Sequence, residues 1–322
     1  MSAWRHPGSY LTLAIVFVWG LVVLLLGTDI MRESAFTLIM FVALASSLNI
    51  LLGYTGYVSF GHIVFFGLGG YTGFYFLVKH GWSLYAACVA GGVLSALLAG
   101  LIGLAVLRLR GAYFALATIG INEAARAFVS NFEPFGGATG LALDFSVYLK
   151  YGGAGKALWT TFTVLWVTTL AVILVSLLVK HSRFGLGLMA IREDEDAAMV
   201  MGVKTPQAKT LTFMMSAFFP GVIGTLYFFK NGNVEPGDAF QLHMSIEMLV
   251  MVMLGGQGTV LGPLAGAVTY QGLRGYLLTS PIFKNLHLAV AGVVLLLIIL
   301  FVPAGAVGWV RDRLPKLRRW LE

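Results

Sequence analysis

Glu193, Asp194, Glu195 and Asp196 are four consecutive acids in a chain that has only fourteen, and 58% of its residues are hydrophobic. They lie in the run I-R-E-D-E-D-A-A-M-V-M-G from Ile191 to Gly202. Acids at the start of a helix are favoured by the positive end of its dipole. Small residues on one helix face let another protein approach closely. Ala190, Ala197, Ala198 and Met201 gather on one side of such a helix, so the chemistry here is docking rather than bond making. Arg192, Glu193, Glu195 and Asp196 are its expected charged contacts, and Ala197, Ala198 and Gly202 its close-contact face.

Other polar groups fall inside apolar runs, where an ionisable side chain costs about 2.5–3.5 kcal/mol at mid-bilayer. Asn122, Glu123 and Arg126 form the clearest group. Glu123 and Arg126 are three apart on a helix and can neutralise each other, either as a buried packing pair or as part of a translocation path. Glu247 and Arg274 stand on adjacent expected spans, where pairing is possible. Ser59 and His62 have the types of a nucleophile and a base, but no third orienting group accompanies them. A role in a pore wall is the better expectation. Asn49, Tyr54, Thr118 and Gln257 are polar groups near helix breaks, expected to touch solute or to fix packing. No metal-ligand spacing occurs, and no cofactor is expected. No G-x-x-x-x-G-K-[ST] loop occurs, so any ATP hydrolysis by the P-loop route belongs to another polypeptide.

The elements that must position these groups are membrane helices. Charged residues are 11% of the 322, against about a quarter in soluble domains. Apolar runs of about 18–22 residues exclude a barrel's shorter alternating strands. The expected fold is therefore all-α and polytopic, with eight to ten spans in a single permease domain. The spans lie near 10–27, 34–52, 59–78, 85–107, 113–131, 157–179, 210–229, 241–256, 264–280 and 287–305. The first is read as a retained span rather than a cleaved signal. Residues 10–179 carry the N-terminal spans, 180–209 a polar loop, 210–305 the C-terminal spans and 306–322 a basic tail. A cytoplasmic N-terminus places thirteen basic residues inside, among them Arg108, Arg110, Arg192, Lys204 and Lys209, and six outside. That asymmetry puts both termini and the acidic run in the cytoplasm. It also accounts for the net charge of +7 without nucleic acid. Cys88 alone forms no intrachain disulfide. Gly-rich breaks at 53–73 and 255–266 predict interrupted or re-entrant helices, tolerated at membrane depth only against protein or water. Residues 133–156 are the longest outside loop, suited to contact an external partner or merely to connect.

Asp196-Ala197-Ala198-x-x-x-Gly202 resembles the cytoplasmic coupling loop of ABC importer permeases, with Asp in place of the usual Glu and without the downstream apolar-x-Leu-Pro; Pro220 comes too late. The wider chain, from about 34 to 305, resembles the LivM-like branched-chain amino acid permeases. The matching blocks are Asn49…Gly53-x-x-Gly56-x-x-Ser59-x-Gly61-His62-x-x-Phe65-x-Gly67-x-Gly69-Gly70-Tyr71, then Arg108-Leu-Arg110-Gly-Ala-Tyr113-Phe114-Ala115-x-x-Thr118 with Glu123 and Arg126. Ser182-Arg-Phe-Gly185…Arg192-Glu-Asp-Glu195-Asp-Ala-Ala…Gly202 follows, then Lys209 to Gly224 and Leu254-Gly-Gly-Gln-Gly258-Thr-x-x-Gly262-Pro263.

The resemblance implies a bacterial inner-membrane subunit that passes branched-chain or other apolar amino acids. Its implied partners are a second permease in a heterodimer, two ABC ATPase subunits and a periplasmic solute-binding protein, all set in membrane lipid. Permeases for urea and short amides share these blocks and are the alternative. A proton-coupled secondary transporter using Glu123, His62 or Glu247 is the rival of another class.

Overall fold

The computed structural model describes residues 7–279, with the isolated residues 289, 292, 293, 296, 305, 307 and 308. The expected span 287–305 and the basic tail 306–322 lie largely outside the described residues. Nine of the ten expected spans coincide with helices: α1 (Pro7–Leu26), α2 (Asp29–Thr55), α3 (Ile63–His80), α4 (Leu84–Val106), α5 (Ala112–Asn131), α7 (Ala154–Lys180), α10 (Thr205–Asn231), α12 (Leu242–Gly255) and α13 (Gly262–Thr279). Short helices α6 (Ser146–Leu149), α8 (Arg183–Glu193), α9 (Glu195–Val200) and α11 (Pro236–Ala239) connect them. Among the described residues, α2, α4, α7, α10 and the run Pro236–Gly255 are long and apolar enough to cross a membrane. The protein is an all-α polytopic membrane protein.

Helix α2 is the axis, buried from Phe36 almost continuously to Thr55. A helix apolar all round is a core helix rather than an amphipathic one. Helix α10 packs against α2, α3 and α4, α7 flanks α2, and α1 lies on α7, where Trp166 Nε1 donates to the Val16 carbonyl at 3.0 Å.

Small residues set the approach of α3, α4 and α10. A Cβ on Gly91 would lie 2.6 Å from Thr225 Oγ1, and one on Gly221 would lie 2.6 Å from the Gly91 carbonyl. Ser95 Oγ donates to the Phe65 carbonyl at 2.9 Å, and Thr225 Oγ1 to the Gly69 carbonyl at 3.2 Å. Without a hydrophobic drive between helices in lipid, close backbone contact and such hydrogen bonds hold them together.

The glycine breaks are loops buried in protein. Between α2 and α3 the chain leaves the helix at Gly56 and descends to His62 beside Ser216. Lys209, which donates to Tyr57 Oη near the start of this loop, lies seven positions before Ser216 on α10, so the irregular backbone runs about 10 Å along that helix. The reason lies in α10. Pro220 has no N–H, so the Ser216 carbonyl loses its helical donor and instead accepts from Ser47 Oγ and from His62 Nε2, the latter at 3.2 Å. The second break, 256–261, docks on the first. Asn49 Nδ2 donates to the Thr259 carbonyl and Asn49 Oδ1 accepts from Gly258 N, each at 2.9 Å.

At the opposite end, residues 133–156 are fastened down. Strand β1 (Leu141–Ala142) pairs antiparallel with β2 (Asn233–Val234), Leu141 facing Val234. Tyr148 Oη donates to the Phe229 carbonyl at 2.6 Å, and Leu84 N donates to Tyr151 Oη at 2.8 Å.

Gly221→Ala is expected to cost about 1–3 kcal/mol by overpacking the α4–α10 contact. A lowered melting temperature of the detergent-solubilised protein, read by tryptophan fluorescence, checks it. An unchanged melting temperature would refute the close-contact account.

Candidate functional site

The acidic run is two helices, not one. Asp194 is extended (φ −157°, ψ 114°), and its Oδ1 accepts from Asp196 N at 2.9 Å and Ala197 N at 3.0 Å. Aspartate is a strong N-cap, so the third of the four acids begins a fresh helix, α9, and the register of the expected face changes. Ala198 therefore turns inward and is only 2% exposed, which corrects its place on the outward face. Ala197 and Gly202 remain exposed, with Met199, Val200 and Met201 between them. Gly202 ends the segment at φ 88°, a left-handed conformation suited to glycine.

Glu195 points the other way, into a charged node. Its Oε1 accepts from Lys209 Nζ at 2.6 Å and its Oε2 from Tyr57 Oη at 2.8 Å. Lys209 Nζ also donates to Tyr57 Oη at 2.8 Å and to the Leu107 carbonyl at 2.7 Å, and its side chain is 4% exposed. One ammonium thus joins α10, α9, the α2–α3 connection and the end of α4. Arg110 adds an outer layer. Its Nη1 and Nη2 grip Asp196 at 3.0 and 2.7 Å, and its Nε lies 3.5 Å from Glu195 Oε2.

Burial pushes the Glu195 carboxyl up, but hydrogen bonds from Lys209 and Tyr57 and the charges of Lys209 and Arg110 outweigh it. The carboxyl is held below its usual range. Asp196 is lowered by its hydrogen bonds from Arg110 and by that cation's charge. Burial, together with the adjoining Glu195 carboxylate, raises the Tyr57 hydroxyl.

Arg192 spans the seam between the glycine breaks. Its Nη1 donates to the Gly53 carbonyl at 2.9 Å and its Nη2 contacts Glu193 at 3.2 Å. A Cβ on Gly53 would fall 2.6 Å from Gly258 N, so glycine is what lets the two breaks touch.

The remaining sequence-derived residues separate into three places. Tyr54 is buried, with its hydroxyl on Ser176 of α7 (Oγ at 2.8 Å), and Asn49 clamps the second break. His62, Thr118 and Asn122 line a buried seam between α3, α5, α10 and α12. Phe60 N donates to Thr118 Oγ1 at 3.2 Å, and Asn122 Nδ2 donates to the Phe240 carbonyl at 2.9 Å. Ser59 Oγ, His62 Nδ1 and Asn122 Oδ1 are buried there without a hydrogen-bond partner among the described residues. Ser59 and His62 do not bond to each other. Gln257 is half-buried in the second break.

Glu123 and Arg126 do pair, at 2.8 Å, and their side chains are 48% and 51% exposed, so of the two readings the buried packing pair is not what forms in this chain. Glu247 and Arg274 meet at 3.4 Å, with the Glu247 side chain 1% exposed. Tyr57, Arg110 and Lys209 were not among the sequence-derived site residues. The available signal was charge balance: four adjacent acids require cations, and these basic residues are assigned to the same side.

Residues 30–299 match the family model described as branched-chain amino acid transport system / permease component. The chain belongs to that family. This permease is 29% identical to the high-affinity branched-chain amino acid transport system permease protein LivM of Salmonella typhimurium, over 85% of its own length and 69% of the relative's. It is 28% identical to LivM of Escherichia coli over the same shares, and 24% identical to the LivH permease protein of Escherichia coli over 82% of its length and 90% of the relative's. No solved structure matches the permease.

Lys209→Met should destabilise the permease by about 3 kcal/mol, because it leaves Glu195 without its buried cation. A lowered melting temperature in detergent checks this. The depressed Glu195 carboxyl stabilises the fold above its unfolded value, and that contribution is lost as pH falls through the folded value. The stability gap between the permease and Glu195→Gln should therefore be widest at neutral pH and close on acidification below the ordinary carboxylate range. A gap independent of pH would contradict the assignment.

Proposed function

We propose that the chain is one permease of an ATP-driven importer, passing branched-chain or other apolar amino acids across a bacterial inner membrane. It works with a second permease, two ATPase subunits and a periplasmic binding protein. Family membership supports the solute class, and the observation that supports ATPase docking is the outer face of α9. Val200 and Met201 are 88% and 84% exposed beside Met199 at 44%. They sit on a polar segment outside the apolar spans. A contiguous apolar patch rimmed by charge marks a protein contact. In this reading the termini and α9 face the cytoplasm.

Docking alone does no work; the ATPase must hold α9 differently in its two states to shift the bundle. The charged node gives such a shift somewhere to go. Glu195 passes it through Lys209 to α10, and Asp196 through Arg110 to the start of α5. The half-exposed Glu123 and Arg126 on α5 and the buried polar seam of His62, Thr118 and Asn122 mark the side along which solute travels.

In proteoliposomes holding all partners, the binding protein and ATP, the wild type should accumulate leucine. Paired substitution of Val200→Asp and Met201→Asp should reduce uptake about tenfold or more, the scale of a lost interface hot spot. Membrane insertion should be unchanged. Normal uptake by the double variant would refute docking through α9. Leucine uptake by the chain alone under a proton gradient would favour a secondary transporter.

A further inference from the structure

The C-terminal half of α5 borders a cavity of about 440 Å³, within the span of small-molecule sites, roughly 300–1,000 Å³. Glu123, Arg126, Ala127 and Ser130 line it from α5, and their i, i+3, i+4, i+7 spacing puts them on one face. Ala138 and Pro236 form the facing wall. The β1–β2 pairing of Leu141 with Val234 ties together the two segments that carry Ala138 and Pro236.

The charged pair at this cavity is incompletely used. Its contact engages Arg126 Nη2 and Glu123 Oε2. A guanidinium has five donors and a carboxylate about four acceptor sites, so most of the capacity of both groups is left over. Both side chains are half-exposed, and hydrocarbon would penalise that exposure. Water, a polar solute or polar groups of the second permease must therefore face the pair.

The pair is also selective by charge. A singly charged solute would satisfy one member and be repelled by the other. A molecule that carries an ammonium and a carboxylate on one carbon satisfies both and leaves the site neutral, while its side chain lies on Ala127, Ala138 and Pro236.

We propose that this cavity is a binding subsite for a zwitterionic α-amino acid, with Arg126 holding the carboxylate and Glu123 the ammonium. The proposal rests on the importer reading for its solute class, and it assigns the backbone recognition of that solute to two named side chains.

Saturation-transfer NMR on the assembled transporter in nanodiscs, without binding protein or ATP, tests it with leucine, leucinamide and 4-methylpentanoate as probes. Leucine should give a saturable signal. Leucinamide, lacking the carboxylate, and 4-methylpentanoate, lacking the ammonium, should each bind roughly tenfold more weakly or worse, the scale of one charge-assisted hydrogen bond. Arg126→Gln and Glu123→Gln should each weaken leucine similarly. Ala127→Trp, which fills the cavity and leaves both charges, should block it, and this arm stands even if a charge variant does not assemble. Equal binding of the three probes, no saturable leucine signal in the wild type, or undiminished binding by Ala127→Trp would overturn the subsite. ATP-driven leucine uptake in proteoliposomes is read separately. Its absence in the wild type defeats the importer reading, whereas normal uptake with no NMR signal defeats only the subsite.

Discussion

A buried ammonium needs oxygen around it, and Lys209 finds three oxygens on three different segments. An uncompensated charge in this position would cost several kcal/mol. The acidic segment is therefore fixed to the bundle by the same interactions that make burial of the lysine tolerable. Glu195 and Tyr57 cannot leave separately, because each satisfies the other as well as the cation. Asp194 contributes by breaking the acidic run. It starts α9 so that Glu195 turns inward while Val200 and Met201 turn out. Local capping thus decides which acids are structural and which side chains are left to meet another protein.

A second dependency runs through Pro220. Removing one amide from α10 creates a carbonyl at Ser216 that must be satisfied within the bundle, and His62 and Ser47 converge on it. Because a carbonyl only accepts, the His62 nitrogen that meets it, Nε2, is the one that carries a proton. The glycine break ahead of α3 lets the chain reach that depth without helical hydrogen bonds. Helix defect and loop thus complement each other across 154 residues of sequence.

The spans were legible because a membrane core demands long apolar runs, and glycine and charge punctuate them sharply. The pairing of Glu123 with Arg126 followed from helical spacing. Whether that pair was buried did not, since spacing fixes neighbours on one helix and says nothing of what covers them. The split at Asp194 was hidden for a related reason: any of four adjacent acids can cap a helix, and the choice depends on Lys209 and Arg110 from distant segments. The contact of Asn49 with Gly258 and Thr259 joins residues more than 200 positions apart and leaves no periodic trace. The buried node was harder still, because Tyr57 and Lys209 look like ordinary residues at the ends of spans.

Helix α5 buries only Phe114, Thr118, Asn122 and Val129, a narrow stripe for a helix of 20 residues. Like α1, it is a long helix that the core of this chain holds at few points. Its foot is gripped at Arg110, while Glu123 stands about 20 Å further along. The far end is anchored too, where Asn122 Nδ2 donates to the Phe240 carbonyl and the helix packs against Gly137–Thr139 and α11. With so few anchors, the base of the helix and the charges near its tip are joined through its hydrogen-bonded backbone rather than through a continuous chain of side-chain contacts.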